Sequence, residues 1–199
     1  MIKKVRSVLA LGVVVSTLAA CGGGGAAIPD DQFFRLNTTA APASSAVLDG
    51  TVEVERFSAS GVFSKRPVLY SEPGSNAVSE YIYHFWTDSP PVLLQAAMVS
   101  HLRASGVADR VVTPDLRVRA DYTVLGRVIR METVRGASPT GVVTLELALR
   151  REKDGELLVL GEYSAEIAAD GRDIHAAVQA IDAAVNDAFK AFVQDMKNK

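Results

Sequence analysis

Residues 81–106 read YIYHFWTDSPPVLLQAAMVSHLRASG, and this stretch decides the fold. It opens as an aromatic strand, with Tyr81, Tyr83 and Phe85 at period two. The chain then turns through Thr87, Asp88, Ser89, Pro90 and Pro91 and leaves as a helix that closes at Gly106. Leu94, Met98 and Leu102 recur every fourth residue with Val92 and Val99 alongside, which gives that helix a core-facing side. Asp88 and Ser89 are natural N-cap residues, and proline fits a first turn because its missing N–H would have no partner there. Gly106 suits the left-handed conformation that ends a helix. A strand feeding a helix this tightly fixes how one layer lies on the other.

The segments on either side fall into place around that unit. Upstream, Phe33–Leu36 reads as a first short strand, Thr38–Gly50 as a loop, and Thr51–Phe57 as a half-buried strand alternating Val52 and Val54 with Glu53 and Glu55. Ser58–Ser64 reads as loop. Pro67–Ser71 is a strand leading through a Glu-Pro-Gly-Ser turn into Ala77–Phe85, a hairpin. Downstream, Val107–Val112 is a brief strand and Arg119–Glu132 the longest strand signal, in which Gly126 marks a bulge or a close helix contact. Gly136–Gly141 reads as a polar turn, followed by a strand alternating Val143, Leu145, Leu147 and Leu149. Asp154-Gly155 is a hairpin turn pair, and Leu157–Ile167 returns as the partner strand. Ile174, Val178, Ile181, Val185, Phe189, Phe192 and Met196 step by three and four along a terminal helix, with Asp170 or Asp173 as its cap. Strands, helix, strands, helix, with hairpins in both halves, predict an α+β domain: an antiparallel or mixed β-sheet with two main α-helices packed on it.

The N-terminus carries a different message. Lys3, Lys4 and Arg6 precede an apolar run from Val8 to Leu18, and the small residues Ala19 and Ala20 lead to Cys21, the only cysteine of the 199 residues. The run is too short to span a bilayer and ends at a cleavage site, so it reads as a secretory signal. Leu18-Ala19-Ala20-Cys21 closely resembles the bacterial lipobox. That resemblance implies cleavage between Ala20 and Cys21, a diacylglyceryl thioether on Cys21, and N-acylation (palmitate). Several acyl chains make a firm anchor where one would be marginal. Gly22, rather than aspartate, follows the cysteine, which by the same resemblance points to the outer membrane, periplasmic face. The expected organisation is a signal peptide over 1–20, a lipidated Cys21 and flexible tether over 21–31, and one domain over 32–199. Gly22–Gly25 lacks the strand before, the helix after and the Lys-Ser/Thr of a phosphate-binding loop.

Composition narrows the function classes. Removing the signal leaves 18 basic against 23 acidic side chains, and no basic stripe interleaved with aromatics appears, so nucleic acid is not an expected partner. His84, His101 and His175 lie far apart along the chain and lack metal-ligand spacing. No Gly-x-Ser-x-Gly occurs. Asp88, Asp115 and Asp121 read as a cap, a turn and a strand-surface residue rather than a carboxylate set. Trp86, the only tryptophan, reads as packed beside the helix start. No cofactor, metal or catalytic residue is expected.

With its segments placed, the chain resembles the ABC-type transport auxiliary lipoprotein family, over roughly residues 33–196 plus the lipobox. The likeness rests on Arg66-Pro67-Val68-Leu69-Tyr70, on Tyr83–Trp86, on the Pro90-Pro91 helix start with Leu94, Met98 and Leu102, and on Arg119–Val124. Ser58–Phe63 departs from members that carry a proline-tyrosine turn there. The resemblance implies a non-enzymatic component that accompanies an ATPase, a permease and a mammalian-cell-entry-domain protein in lipid or hydrophobic-solute traffic. Some members assemble as rings, so a homo-oligomer is left open. The competing readings are a stand-alone lipid-binding or structural envelope lipoprotein and, more remotely, a tethered hydrolase. Partner contacts are expected on sheet edges and loops, with Ser58–Phe63 and Gly136–Gly141 as first candidates.

Overall fold

The computed structural model describes residues 29–38 and 47–199, and the compact folded unit is Asp31–Lys199. Its elements in chain order are β1 (Gln32–Phe34), β2 (Leu48–Val54), β3 (Ser58–Ala59), β4 (Pro67–Ser71), β5 (Val78–Trp86), α1 (Pro90–Ser105), β6 (Ala108–Val112), β7 (Tyr122–Val134), β8 (Thr140–Arg151), β9 (Leu157–Ala168) and α2 (Ile174–Lys197). Short 3-10 turns occupy Gly61–Ser64 and Pro114–Leu116. This is an α+β domain with a mixed sheet and two main helices.

The spine is β7, a strand of 13 residues. One of its edges pairs antiparallel with β8 along nearly its whole length, and β8 pairs antiparallel with β9. Its other edge is shared by three strands in succession, all parallel to it. Val52–Val54 pair with Tyr122–Val124, Ser58–Ala59 with Arg127–Val128, and Tyr70–Ser71 with Thr133–Val134. Two arms leave that edge. β2 continues into β6, and β4 continues into β5 and then β1. Helix α1 joins β5 to β6, so it bridges the arms, and it packs on β2, β3, β6 and β7. Helix α2 packs on β7, β8 and β9 and touches α1.

The periodicities explain the layers. Leu94, Met98 and Leu102 of α1 and Ile181, Val185, Phe189, Phe192 and Met196 of α2 are fully buried. They meet Val52, Val54, Val124, Val143, Leu145, Leu147 and Leu149 on the sheet, so period 3.6 faces period 2 across one core. Trp86 is 1% exposed, at the junction of β5 and α1. Gly106 closes α1 at φ 62, and Arg103 ties that end to β6 by donating to the Val111 carbonyl at 2.7 and 3.0 Å. Asp173, not Asp170, caps α2: its carboxylate accepts the Ala176 N–H at 2.8 Å. Ser89 holds the N-cap position of α1 without a side-chain cap bond: Pro91 has no N–H to offer, and the Val92 N–H donates to the Ser89 backbone carbonyl at 3.0 Å.

Several boundaries differ from the sequence expectation, each for a tertiary reason. The loop expected over Thr38–Gly50 ends early, since Leu48 already pairs with Ala108 and both Val47 and Leu48 donate to the Val107 carbonyl. Ser58–Ser64 is not simply loop: its first two residues are β3 and its last four a 3-10 turn. The long strand starts at Tyr122 rather than Arg119, after Arg117 turns the chain at φ 52. Gly126 lies neither at the bulge, which falls between Val128 and Arg130, nor under a helix; a Cβ there would meet the Phe57 ring at 2.6 Å. Thr140 and Gly141 belong to β8, not to a turn. The close helix approach is at Gly141, where a Cβ would come within 2.4 Å of the Ala180 backbone of α2.

Candidate functional site

Ala20 and Cys21, the expected cleavage and lipidation residues, lie outside the described residues. The histidines are placed differently from their spacing in sequence. His84 on β5 and His175 at the start of α2 share a neighbour: the Phe34 ring stacks 6.1 Å from His84 and meets His175 edge-on at 5.4 Å. Burial, then the nearby His175, lowers the pKa of His84, whose Nδ1 is enclosed without a hydrogen-bond partner. His101 is 1% exposed on α1, edge-on to Phe189 at 5.6 Å, and neither ring nitrogen has a hydrogen-bond partner. Burial, then the Lys190 charge, lowers its pKa, so it sits in the core as a neutral ring. Among the described residues no group of three or more His, Cys, Asp or Glu could hold a metal ion.

The three aspartates weighed as a set are apart in role. Asp88 accepts the Ser89 N–H at 2.7 Å, Asp115 lies in a 3-10 turn, and Asp121 accepts the Thr51 N–H at 2.8 Å. Two buried carboxylates stand elsewhere. Glu132 on β7, 1% exposed, is held by Arg130 and by the Ser71 hydroxyl at 3.2 Å. Asp182 on α2, 8% exposed, accepts the Asn37 N–H at 3.2 Å. Burial pushes its pKa up to about 7, and the Asn37 bond offsets only part of that. In the sequence only a pattern break signals Asp182, which sits on the buried stripe beside Ile181. Asn186, one turn on, breaks the same stripe.

Clefts on the domain carry charge. One of about 520 Å³ lies at the β7 entrance among Asp49, Glu53, Arg119, Asp121, Arg150 and Glu152. Another of about 320 Å³ lies beside Leu125, Ala148, Leu157 and Leu160, rimmed by Arg56, Arg127 and Glu146. Arg127 and Glu146 pair across that rim at 3.0 Å, a solvated ion pair of small energetic weight. Of the two loops expected to make contacts, Ser58–Ala59 are tied into the sheet and Gly141 is locked under α2, leaving the 3-10 turn at Gly61–Ser64 and the bend before Thr140 as adaptable surface.

A helix-backed mixed sheet offering edges and turns defines a structural class that recurs in solved proteins. A Xanthomonas campestris protein has TM-score 0.72 at 16% identity, covering 81% of this chain and 92% of its own. An uncharacterised protein has TM-score 0.61 at 14% identity, with 85% and 96% covered. A hypothetical protein of Chlamydia trachomatis has TM-score 0.51 at 7% identity, with 76% and 100% covered. These likenesses establish the fold. No curated protein matches the sequence. The family is given by residues 34–191, which match the model of the ABC-type transport auxiliary lipoprotein component. The chain belongs to that family. No helix among the described residues is long and apolar enough to cross a membrane.

Proposed function

We propose that this chain is a non-enzymatic lipoprotein, anchored through Cys21 on the periplasmic face of the outer membrane. It serves as the auxiliary component of an ABC-type transport system whose partner carries a mammalian-cell-entry domain. The cargo is a lipid or another hydrophobic solute crossing the periplasm. Residues 1–20 are removed as the signal, 21–31 tether the domain, and 32–199 fold. The observation that carries the reading is the family match over residues 34–191 in a chain whose Leu18-Ala19-Ala20-Cys21 has the lipobox pattern.

The alternative, a stand-alone lipid carrier, calls for an apolar chamber. The charged lining of the 520 Å³ cleft does not suit that role. Co-purification from detergent-solubilised envelopes tests the transport reading. Wild type is expected to bring down a cell-entry-domain protein, and deletion to change envelope permeability to hydrophobic compounds. Absence of both results refutes the reading and leaves the stand-alone lipoprotein in its place.

A further inference from the structure

Large apolar side chains stand exposed at the corner where the chain enters the domain. Phe33 on β1 is 55% exposed and Ile82 on β5 is 75% exposed. Phe33 lies against Phe85, ring centroids 5.8 Å apart, because β1 and β5 run parallel with these residues in register. Gln32 pairs with His84, so the chain enters beside the Ile82 end of that pairing. Here β5 leaves its register with β4: Pro67 faces Phe85 but Leu69 faces Glu80, so β5 spends extra residues around Ile82. Such a bulge re-aims side chains and is a built feature of a sheet. Ile82 is the most exposed large apolar side chain among the described residues, and with Phe33 on the neighbouring strand it gives this corner an apolar surface.

The tether identifies what covers this corner. From Cys21 to Gln32 the chain reaches at most about 40 Å when extended, and a flexible Gly-rich segment averages nearer 20 Å. The β1–β5 corner is therefore the part of the sheet nearest the anchor along the chain. Along the path β1-β5-β4-β7-β8-β9, the far strand β9 lies five strand spacings away, about 24 Å. Charge defines the lipid. Arg66 lies with its guanidinium 5.4 Å from the Phe33 ring centroid, fixed by its bond to the Trp86 carbonyl at 3.2 Å. That places an arginine beside an apolar group, the arrangement in which a guanidinium reaches phosphate while its stem lies in the interface. Arg35 and Lys65 are balanced by Asp30, Asp31 and Glu80, and Lys65 is already paired with Glu80 at 2.9 Å. The corner has no net attraction for anionic lipid.

We propose that Phe33 and Ile82, with Arg66 beside them, insert into the zwitterionic phospholipid surface to which the chain is anchored, docking the domain in one orientation. This rests on the reading of Cys21 as the anchor.

Tryptophan quenching by brominated phosphatidylcholine tests it on the full mature chain in vesicles. Trp86 is the only native tryptophan and is buried, so wild type supplies a low background. Ile82→Trp is expected to lose most of its added emission, whereas Leu160→Trp, on β9, is expected to lose none. The loss at position 82 persists at about 1 M salt, where charge attraction is screened within about 3 Å. Phe33→Ser in the Ile82→Trp chain abolishes it, and both positions are exposed enough for folding to survive. If the Ile82→Trp probe stays as bright as Leu160→Trp while the chain floats with the vesicles, the insertion is refuted. If mass spectrometry finds Cys21 unmodified, the anchor reading fails. Coupling the Cys21 thiol to a maleimide lipid then restores the tether, and the same quenching comparison decides the insertion by itself.

Discussion

Asp182→Asn is expected to stabilise the domain at neutral and alkaline pH and to do little in acid. Asp182 is 8% exposed on the buried stripe of α2, and burial raises its pKa from the ordinary 3.8 to about 7. A carboxyl whose folded pKa lies above its unfolded one contributes stability that is complete below about pH 4, declines as pH rises towards 7, and is gone above it. At 1.36 kcal/mol per pH unit the difference amounts to about 4 kcal/mol, and solvent screening reduces that to about 2. Asparagine keeps an oxygen for the Asn37 N–H, which lies 3.2 Å from Oδ1, and carries no charge to desolvate. The Asn186 side chain donates to the Asp182 backbone carbonyl, so that bond survives the change. His84 and His101 act in the opposite sense, because their lowered pKa values favour the folded state above about pH 6.5 and cost stability below it. Subtracting the variant from wild type at each pH removes their contribution. Urea unfolding at pH 4.5, 6, 7 and 8 should therefore show variant and wild type converging in acid and separating by about 2 kcal/mol at pH 8. Parallel curves across that range would refute the account of Asp182 as a buried, costly charge.

Labelled fatty acid should enter wild type and not Cys21→Ser; equal labelling of both sinks the anchor. Leu94→Ala or Leu102→Ala should cost about 2–5 kcal/mol, since both side chains are fully buried between α1 and the sheet, and a loss below about 1 kcal/mol in urea would contradict that packing. Gly141→Ala should cost about 3 kcal/mol, because its Cβ would lie 2.4 Å from the Ala180 backbone of α2, which cannot rotate away. For Gly126→Ala the nearest atoms are those of the Phe57 ring, at 2.6 Å, and the change should cost about 1 kcal/mol; equal losses for the two glycines would show that α2 yields as easily as a side chain.

The parts of the fold legible in the sequence are those whose causes are local. The hairpin of β4 and β5 follows from its Glu-Pro-Gly-Ser turn, α1 from its prolines, period and Gly106, and the β8–β9 hairpin from Asp154-Gly155. What no local pattern encodes is which strands share an edge. Thr51–Phe57 and Pro67–Ser71 read as two strands with a loop between them, yet β2, β3 and β4 all line up parallel along β7. The two-residue strand β3 exists only because β7 is there to receive it. Gly141 reads as part of a turn because glycine near Ser138 and Pro139 carries turn chemistry, while its reason is the backbone of a helix 39 positions later. Of the residues singled out, Cys21 is marked in the sequence by a processing pattern and Asp182 by nothing comparable, since its raised pKa comes from burial in the fold, which the Asn37 N–H, 145 residues away, offsets only in part. His84 and His175 lie 91 residues apart in sequence, and the fold brings both rings, one on β5 and one on α2, against Phe34.

The same distinction between local and borrowed structure narrows where a protein partner can be engaged without disturbing the fold. Residues that complete the sheet cannot be exchanged as if they were loop. Replacing all of Ser58–Phe63 removes the β3 pairing with Arg127 and Val128, and replacing Gly141 pushes α2 off the sheet. Loss of co-purification after either exchange would report unfolding as readily as a lost contact. The tips are different. At Gly61 nothing lies within 4 Å of where a side chain would begin, so bulk added there meets solvent, although its φ of 59 strains any L-residue. Gly136 has only the Ser138 carbonyl, at 3.7 Å, in ordinary contact, and no positive φ. A bulky residue at 136 therefore tests the contact at least cost to the fold. Gly136→Gln that leaves urea unfolding unchanged and abolishes co-purification assigns the bend to the interface. Full co-purification by the same variant removes that bend from consideration and leaves the 3-10 turn at Gly61–Ser64 as the remaining candidate of the two.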